Sequence, residues 1–285
     1  MSITLGAVVT PLPGQERWFL AGAKRAGFSA VQINLTQSPR AETVSACIDA
    51  CAEEGLEIGA WGVYGNPLQP HAMVSDEQGV RSGVTAQDIG ALLQLLPPRR
   101  EDEGPWMIVS LSGTLSGAPG TPHPGNQSPG ALAELGRWTE QQYLALESRN
   151  AVLAFKNHYA HVLSEANRIK GFFAPRANPS IGVALDPCAL LTPKNFGERE
   201  NLMTEAIKTL APYTALVHIK DARIENFRID IAGPGQGQIG MAGLLKQLWR
   251  YARDVVWLVD AVENELQLKR SREYLELQAK LAGIV

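Results

Sequence analysis

Cysteine is scarce in this chain: three residues in 285. Cys47 and Cys51 lie four apart in a helical pattern, which is not the Cys-x-x-Cys spacing of a redox motif or zinc knuckle. With Cys188 they make an odd, sparse set, so free thiols and a cytoplasmic setting are expected. Long apolar runs are missing as well. No segment reaches the roughly 18 unbroken apolar residues of a membrane span. The opening MSITLGAVVTPLPG lacks a basic n-region and turns to Pro and Gly early, so it does not read as a signal peptide. Nor is there a charge excess: the formal net charge is −3, with 19% charged residues. A balance this even offers no electrostatic reason to expect nucleic acid or an anionic membrane as partner.

What is present is a 45% hydrophobic chain whose apolar runs alternate with helical patterns. Strands are predicted at Ile3–Val9, Ala30–Leu35, Glu57–Tyr64, Trp106–Leu111, Ala151–Phe155, Ile181–Leu185, Ala215–Ile219 and Val255–Val259. Amphipathic helices are predicted at Gln15–Ala26, Ala41–Glu54, Thr85–Leu96, Leu132–Ser148, Glu198–Leu210, Met241–Arg253 and Glu265–Leu281. Strands separated by helices argue for parallel pairing through crossovers. Eight such units in 285 residues predict an α/β fold, a single-domain (β/α)8 TIM barrel over 1–285. An open doubly wound sheet is the alternative.

Two connections are long and rich in Gly, Pro and Ser: GNPLQPHAMVSDEQGVRSG after the third strand and SGTLSGAPGTPHPGNQSPG after the fourth. Loops of this length are functional lids, disordered segments or passive insertions. In a barrel both would lie on the active face, where strands end and catalytic groups collect. Reading those ends in turn gives Asn66, Ser112, Lys156 with His158, Asp186, His218 with Lys220, and Asp260. Residues two apart in a strand share a face, so each Lys–His pair points the same way. Any lone histidine here is readily explained as a structural polar group. Four successive strand ends carrying two lysines, two histidines and two carboxylates are harder to dismiss.

With those residues in view, TALVHIKDAR (214–223), GVALDPCALL (182–191), GPGQGQIG (233–240) and VYGNPLQP (63–70) resemble the sugar phosphate isomerase/epimerase superfamily, the xylose isomerase-like TIM barrels. The resemblance runs from the first strand to the final helix. It implies a divalent metal held by Glu, Asp, His and Glu from strands five to eight, the two glutamates also moving a proton next to a carbonyl. Matched by position, Asp186 is the Asp, His218 the His, and Asp260 stands for the last Glu, one methylene shorter. The first Glu is absent. Where the family has Glu-Asn-His, this chain has Lys156-Asn157-His158.

An ammonium has no lone pair to give a hard cation. Either Lys156 replaces the metal, its charge held by Asp186 and Asp260, or it turns aside and a weaker Asp186–His218–Asp260 site survives. The expected cofactor is therefore none, or a weakly bound Mn2+ or Mg2+. The superfamily's nucleases need further histidines that are missing here, since Asp186 is followed by Pro187, Cys188 and Ala189, and Asp230 by Ile231 and Ala232. A literal Gly-x-Gly-x-x-Gly, Gly235 to Gly240, precedes Asp260 by about 20 residues and mimics a dinucleotide fingerprint. Only 25 residues follow Asp260, too few for the second half of a Rossmann fold, so no nucleotide cofactor is expected. The loop is read instead as a backbone cradle for a ligand, with Gly235 and Gly237 in contact, or as a plain turn into the next helix.

The reading is an isomerase or epimerase acting on a small sugar-like polyhydroxy carbonyl compound. Asp260 is the expected base, Lys156 the electrophile or acid, and His158 a proton shuttle or hydroxyl partner. Asn66, Ser112, His218, Lys220, Gly235 and Gly237 are expected to bind substrate. The competing account is a non-catalytic or repurposed barrel, a ligand-binding or partner subunit that lost its metal site. Self-association is left open.

Overall fold

The computed structural model describes residues 4–73, 83–99 and 103–284. Eight parallel strands close into a barrel: β1 (Leu5–Val9), β2 (Ala30–Asn34), β3 (Glu57–Gly62), β4 (Trp106–Leu111), β5 (Ala151–Lys156), β6 (Ile181–Leu185), β7 (Thr214–Ile219) and β10 (Trp257–Val259). Each pairs with its neighbours in chain order, and β10 closes the ring by pairing with β1, Leu5 opposite Trp257. The remaining strands, β8 (Asp221–Glu225) and β9 (Arg228–Ala232), form an antiparallel hairpin that follows β7. Eight helices cover the barrel: α1 (Glu16–Arg25), α2 (Ala41–Glu54), α3 (Asp88–Leu95), α4 (Pro129–Ser148), α5 (Ala166–Phe173), α6 (Arg199–Leu210), α7 (Met241–Ala252) and α8 (Glu265–Leu281). Among the described residues no helix is long and apolar enough to cross a membrane.

Alternation of side chains along each strand builds two cores. Outward residues such as Leu153 and Phe155, or Val217 and Ile219, join the helices' buried stripes, of which Val44, Cys47, Ala50 and Cys51 on α2 are one. Inward residues fill the barrel with a smaller cluster: Val8, Ala60, Val109, Ala154, Ala184, Leu216 and Leu258. Stepping two residues further along five of these strands leads to Tyr64 (by way of Gly62), Lys156, Asp186, His218 and Asp260. The same period that packs the interior therefore aims the polar groups at its mouth.

Helix ends follow local chemistry. Ser128 Oγ accepts from Ala131 N–H at 3.1 Å with Pro129 at the first helical position, so α4 starts three residues before its apolar pattern does. Asn264 Oδ1 accepts from Gln267 N–H at 3.0 Å and starts α8. Gly55, at φ 61°, closes α2 in the left-handed region.

Two elements depart from the sequence expectations. The short α5 lies where no helix is predicted. The β8–β9 hairpin lacks a glycine turn: Asn226 and Phe227 take φ of 49° and 60° instead, and Phe227 is 91% exposed. Ile3, in the first predicted strand, and residues 74–82 of the first long loop lie outside the described residues.

Candidate active site

Four charged side chains meet at the carboxyl end of the barrel. Lys156 Nζ lies 2.8 Å from Asp260 Oδ2 and 3.5 Å from Asp186 Oδ2. Lys220 Nζ lies 3.1 Å from each of the same two oxygens. Two ammoniums and two carboxylates thus alternate around a small ring of zero net charge. Asp186 is fully buried, and the side chains of Lys156, Lys220 and Asp260 keep only a small exposed fraction.

Burial alone would raise both carboxyls. At Asp260 the Lys156 and Lys220 charges outweigh it and hold the group well below the usual carboxylate range. At Asp186 the same lysines, with Lys220 foremost, also win. Burial would in turn lower the Lys156 ammonium, yet Asp260 and Asp186 raise it above a free lysine, so it stays charged.

His218 stands beside this ring, fully buried, with Nδ1 3.8 Å from Asp260 Oδ2. Its Nε2 meets Gln32 Oε1 at 2.8 Å. Gln32 Nε2 donates to Asn34 Oδ1 and to Tyr64 Oη, both at 2.8 Å. With its amide nitrogen on Asn34 Oδ1 and Tyr64 Oη, Gln32 presents its carbonyl to His218, which in this arrangement carries its proton on Nε2. Nδ1 is left as a bare acceptor with no hydrogen-bond partner. Burial, reinforced by Lys156, pushes the imidazole down to about 3, so it is neutral.

His158 is arranged in the opposite sense. Its Nδ1 accepts from Ala160 N–H at 3.2 Å, leaving Nε2–H as donor. Burial, then the neighbouring His161 and Lys220, hold it well below an ordinary histidine. Asn157 ties two strands together, accepting from Asp186 N–H at 2.8 Å and donating to Asp186 O at 2.7 Å.

Five of the expected residues therefore converge: Lys156, Asp186, His218, Lys220 and Asp260. His158 stands near them, where the Lys220, Asp186 and Lys156 charges act on it, while Asn66, Ser112, Gly235 and Gly237 are engaged elsewhere. Asn66 Oδ1 accepts from Leu68 and Thr114 N–H, and its Nδ2 donates to Thr114 O, so this buried amide staples the two long loops together. Ser112 Oγ accepts from Leu163 N–H and is fully buried. Gly235 donates its N–H to Asp221 Oδ2, while Ala222 and Ile239 donate to Asp221 Oδ1. The glycine-rich loop is thus wrapped around a carboxylate of its own chain, which corrects the expectation of a ligand cradle. A Cβ on Gly237 would collide with that carboxylate.

Sequence reasoning alone misses Gln32, Asn34 and Tyr64. A polar residue inside the apolar AVQIN run is the one signal for Gln32.

Asp186, His218 and Asp260 offer ligand atoms within 4.8 Å of one another, and by distance could converge on one divalent ion. The two ammoniums contradict that use. Both sit at ion-pair distance from the very oxygens an ion would need, so the donor set does not fit a divalent cation while the lysines are charged.

Comparison with protein-family models finds no match, and comparison with curated proteins finds none. Solved structures do match. A xylose isomerase domain protein from Planctomyces limnophilus is 16% identical with a TM-score of 0.68, the match covering 99% of each chain. A 3-keto-D-glucoside 4-epimerase from E. coli is 15% identical at a TM-score of 0.68, over 97% of this chain and 100% of that one. A xylose isomerase-like TIM barrel protein from Mycobacterium smegmatis, in complex with magnesium, is 12% identical at 0.67, over 100% and 98%. The chain has the fold of the xylose isomerase-like TIM barrels.

Proposed function

We propose that this protein is an isomerase or epimerase of small polyhydroxy carbonyl compounds in which the lysine pair Lys156 and Lys220 takes the place of a divalent metal. The observation that carries this reading is the ring Lys156–Asp260–Lys220–Asp186, two fixed positive charges where the fold's metal-dependent relatives would place one ion. The sugar epimerases among proteins of similar fold support the substrate class.

In this mechanism a substrate carbonyl and its neighbouring hydroxyl oxygen draw the two ammoniums away from Asp260. Losing those partners raises the basicity of the carboxylate, which then takes the proton from the carbon next to the carbonyl. The electron pair left behind moves onto the carbonyl oxygen, and the lysines stabilise the enediolate. Return of a proton to the opposite face, from a second acid such as a lysine ammonium, gives the epimer; return from Asp260 to the adjacent carbon, with the hydroxyl proton passing to the former carbonyl oxygen, gives the isomer. His158 Nε2–H and the Tyr64 hydroxyl, whose own hydrogen is not used in accepting from Gln32, orient substrate hydroxyls.

A second reading has one observation in its favour: the ion ring already satisfies its own charges, as it would in a barrel that only binds a ligand. Solvent deuterium exchange separates the two. Across ketoses, aldoses and ketones derived from inositols, wild type should incorporate deuterium next to a carbonyl, and Lys156→Met should lose at least about 100-fold, as when one oxyanion donor is removed. Equal exchange in both proteins would sink the lysine mechanism. No exchange by wild type across the panel would favour the binding protein.

A further inference from the structure

A cavity of about 550 Å3 opens directly from Asp260 and runs outward between the first and last barrel units. Thr10 and Asn34 line its inner end, and Trp18, Phe19, Val262 and Leu268 form its outer walls. That volume suits a ligand larger than a single small sugar, since pockets for drug-sized molecules span roughly 300–1,000 Å3. The walls say what the extra part is. Trp18 lies in the first turn of α1 and is 61% exposed, with the Phe19 ring edge-on to it at 4.9 Å between centroids. A largely exposed indole in a cavity wall is a platform for a flat apolar ring.

Charge narrows the choice further. Among the described residues no Lys or Arg lines the cavity; its charged residues are Asp260, Glu263 and Glu265. Glu265 is already paired with Arg25 at 2.7 Å. Beyond Asp260 and its two lysines, a phosphate or carboxylate arm would find no cationic side chain in the lining, only Thr10, Asn34, Asn264 and two glutamates. A neutral ring would meet aromatic and aliphatic carbon.

We infer that the cavity is a second subsite, taking a neutral apolar ring attached to the polyhydroxy part of the substrate, with Trp18 as its stacking wall. This rests on the sugar-like reading of the ion ring, and extends it to unphosphorylated glycosides that carry a ring ketone, which keeps the carbonyl that the proton transfer needs. The polyol occupies Lys156, Lys220 and Asp260; the substituent leaves past Asn34 and Thr10 and lies against Trp18. Trp18 acts here on selectivity and not on the proton transfer.

The test is binding, measured by calorimetry and ligand-observed NMR with matched phenyl and methyl glycosides of glucose, galactose and mannose, each carrying a ketone at a ring carbon, with benzyl alcohol as a ring lacking the polyol. Wild type should bind the phenyl member of a pair about tenfold tighter. Trp18→Ala should erase that preference while keeping the affinity for the methyl glycoside, and Trp18→Phe should restore most of it. Because Trp18 is largely exposed, thermal melts of these variants should match wild type. Equal binding of phenyl and methyl glycosides overturns the subsite and leaves the sugar reading standing. Trp18-dependent binding of benzyl alcohol with no binding of any glycoside supports the subsite and removes the sugar reading. Absence of all binding overturns both. A change of oligomeric state in Trp18→Ala, read by light scattering, would make this wall a contact between copies and overturn the proposal.

Discussion

Gln32 accepts a hydrogen bond from His218 across the barrel, Oε1 to Nε2 at 2.8 Å, and so decides which ring nitrogen faces the ion ring. Removing that acceptor should cost more than a contact. In Gln32→Met the His218 N–H is left buried without a partner, a loss of about 1–3 kcal/mol in stability. The tautomer lock is also lost, so the ring proton is free to move to Nδ1, the nitrogen that lies 3.8 Å from Asp260 Oδ2. Long-range proton–nitrogen NMR of the His218 ring checks the cause directly. Wild type should show Nε2 protonated, and an unchanged ring pattern in the variant would refute the lock.

Elemental analysis of the purified protein should find well under one divalent ion per chain, because Lys156 and Lys220 already hold both carboxylates. Lys156→Glu supplies a further oxygen ligand and removes one positive charge. Calorimetry should then detect Mn2+ binding that wild type lacks. One tightly bound ion per wild-type chain would end the lysine-for-metal argument.

The glycine-rich loop makes a separate prediction about stability. A methyl group on Gly237 would collide with the Asp221 carboxylate and come within 2.7 Å of Ala222 N, the interaction that organises the whole loop. Gly237→Ala should therefore destabilise by about 1–3 kcal/mol. Gly243, inside α7, is the matched control, since a methyl group added there would meet nothing within 4 Å. Gly243→Ala should be neutral or stabilising by up to about 1 kcal/mol. Equal effects in urea melts would dissolve the distinction.

The barrel is legible because its strands carry two periods at once. Leu153 and Phe155 mark one face as core, and the intervening Ala154 and Lys156 mark the other as interior and rim. The charged ring can be read the same way, as single polar residues ending apolar runs. The hairpin is hidden because ARIENFRIDIA alternates charge with isoleucine and turns on Asn226–Phe227, without the glycine that signals a two-residue turn. Gln32 and Tyr64 are hidden for another reason. Their role depends on who stands across the barrel, His218 at a separation of 186 residues from Gln32, which no local pattern encodes. Asp221 escapes likewise, since its role depends on the loop that wraps on it, with Gly235 and Ile239 14 and 18 residues further on.

Acid should destabilise this protein earlier than its carboxylates alone would require. His158, His161 and His218 are all held neutral, first by burial, with His161 pushed down to about 4 and His218 to about 3. His161 has its Nε2 on Pro119 O at 2.9 Å, and its Nδ1 has no partner. In the unfolded chain these rings take up protons near the ordinary value of 6.5, whereas the folded chain refuses them until far lower pH. The unfolded state therefore binds more protons below 6.5, and stability falls from there as the pH drops, by about 1.4 kcal/mol per pH unit for each ring fully engaged. The loss stops accumulating for His161 near pH 4 and for His218 near pH 3. Asp186 and Asp260 act with the same sign lower down, since their depressed folded values favour the native state above pH 3.8 and lose that advantage as they protonate. Urea melts at about pH 7.5, 6.0 and 5.0 should show a midpoint that declines from roughly 6.5 downward, and His161→Gln, which keeps a donor for Pro119 O, should reduce the slope by about one ring's share. Stability that is level between about pH 7 and 5, or rises, would mean these histidines are not held neutral in the folded protein.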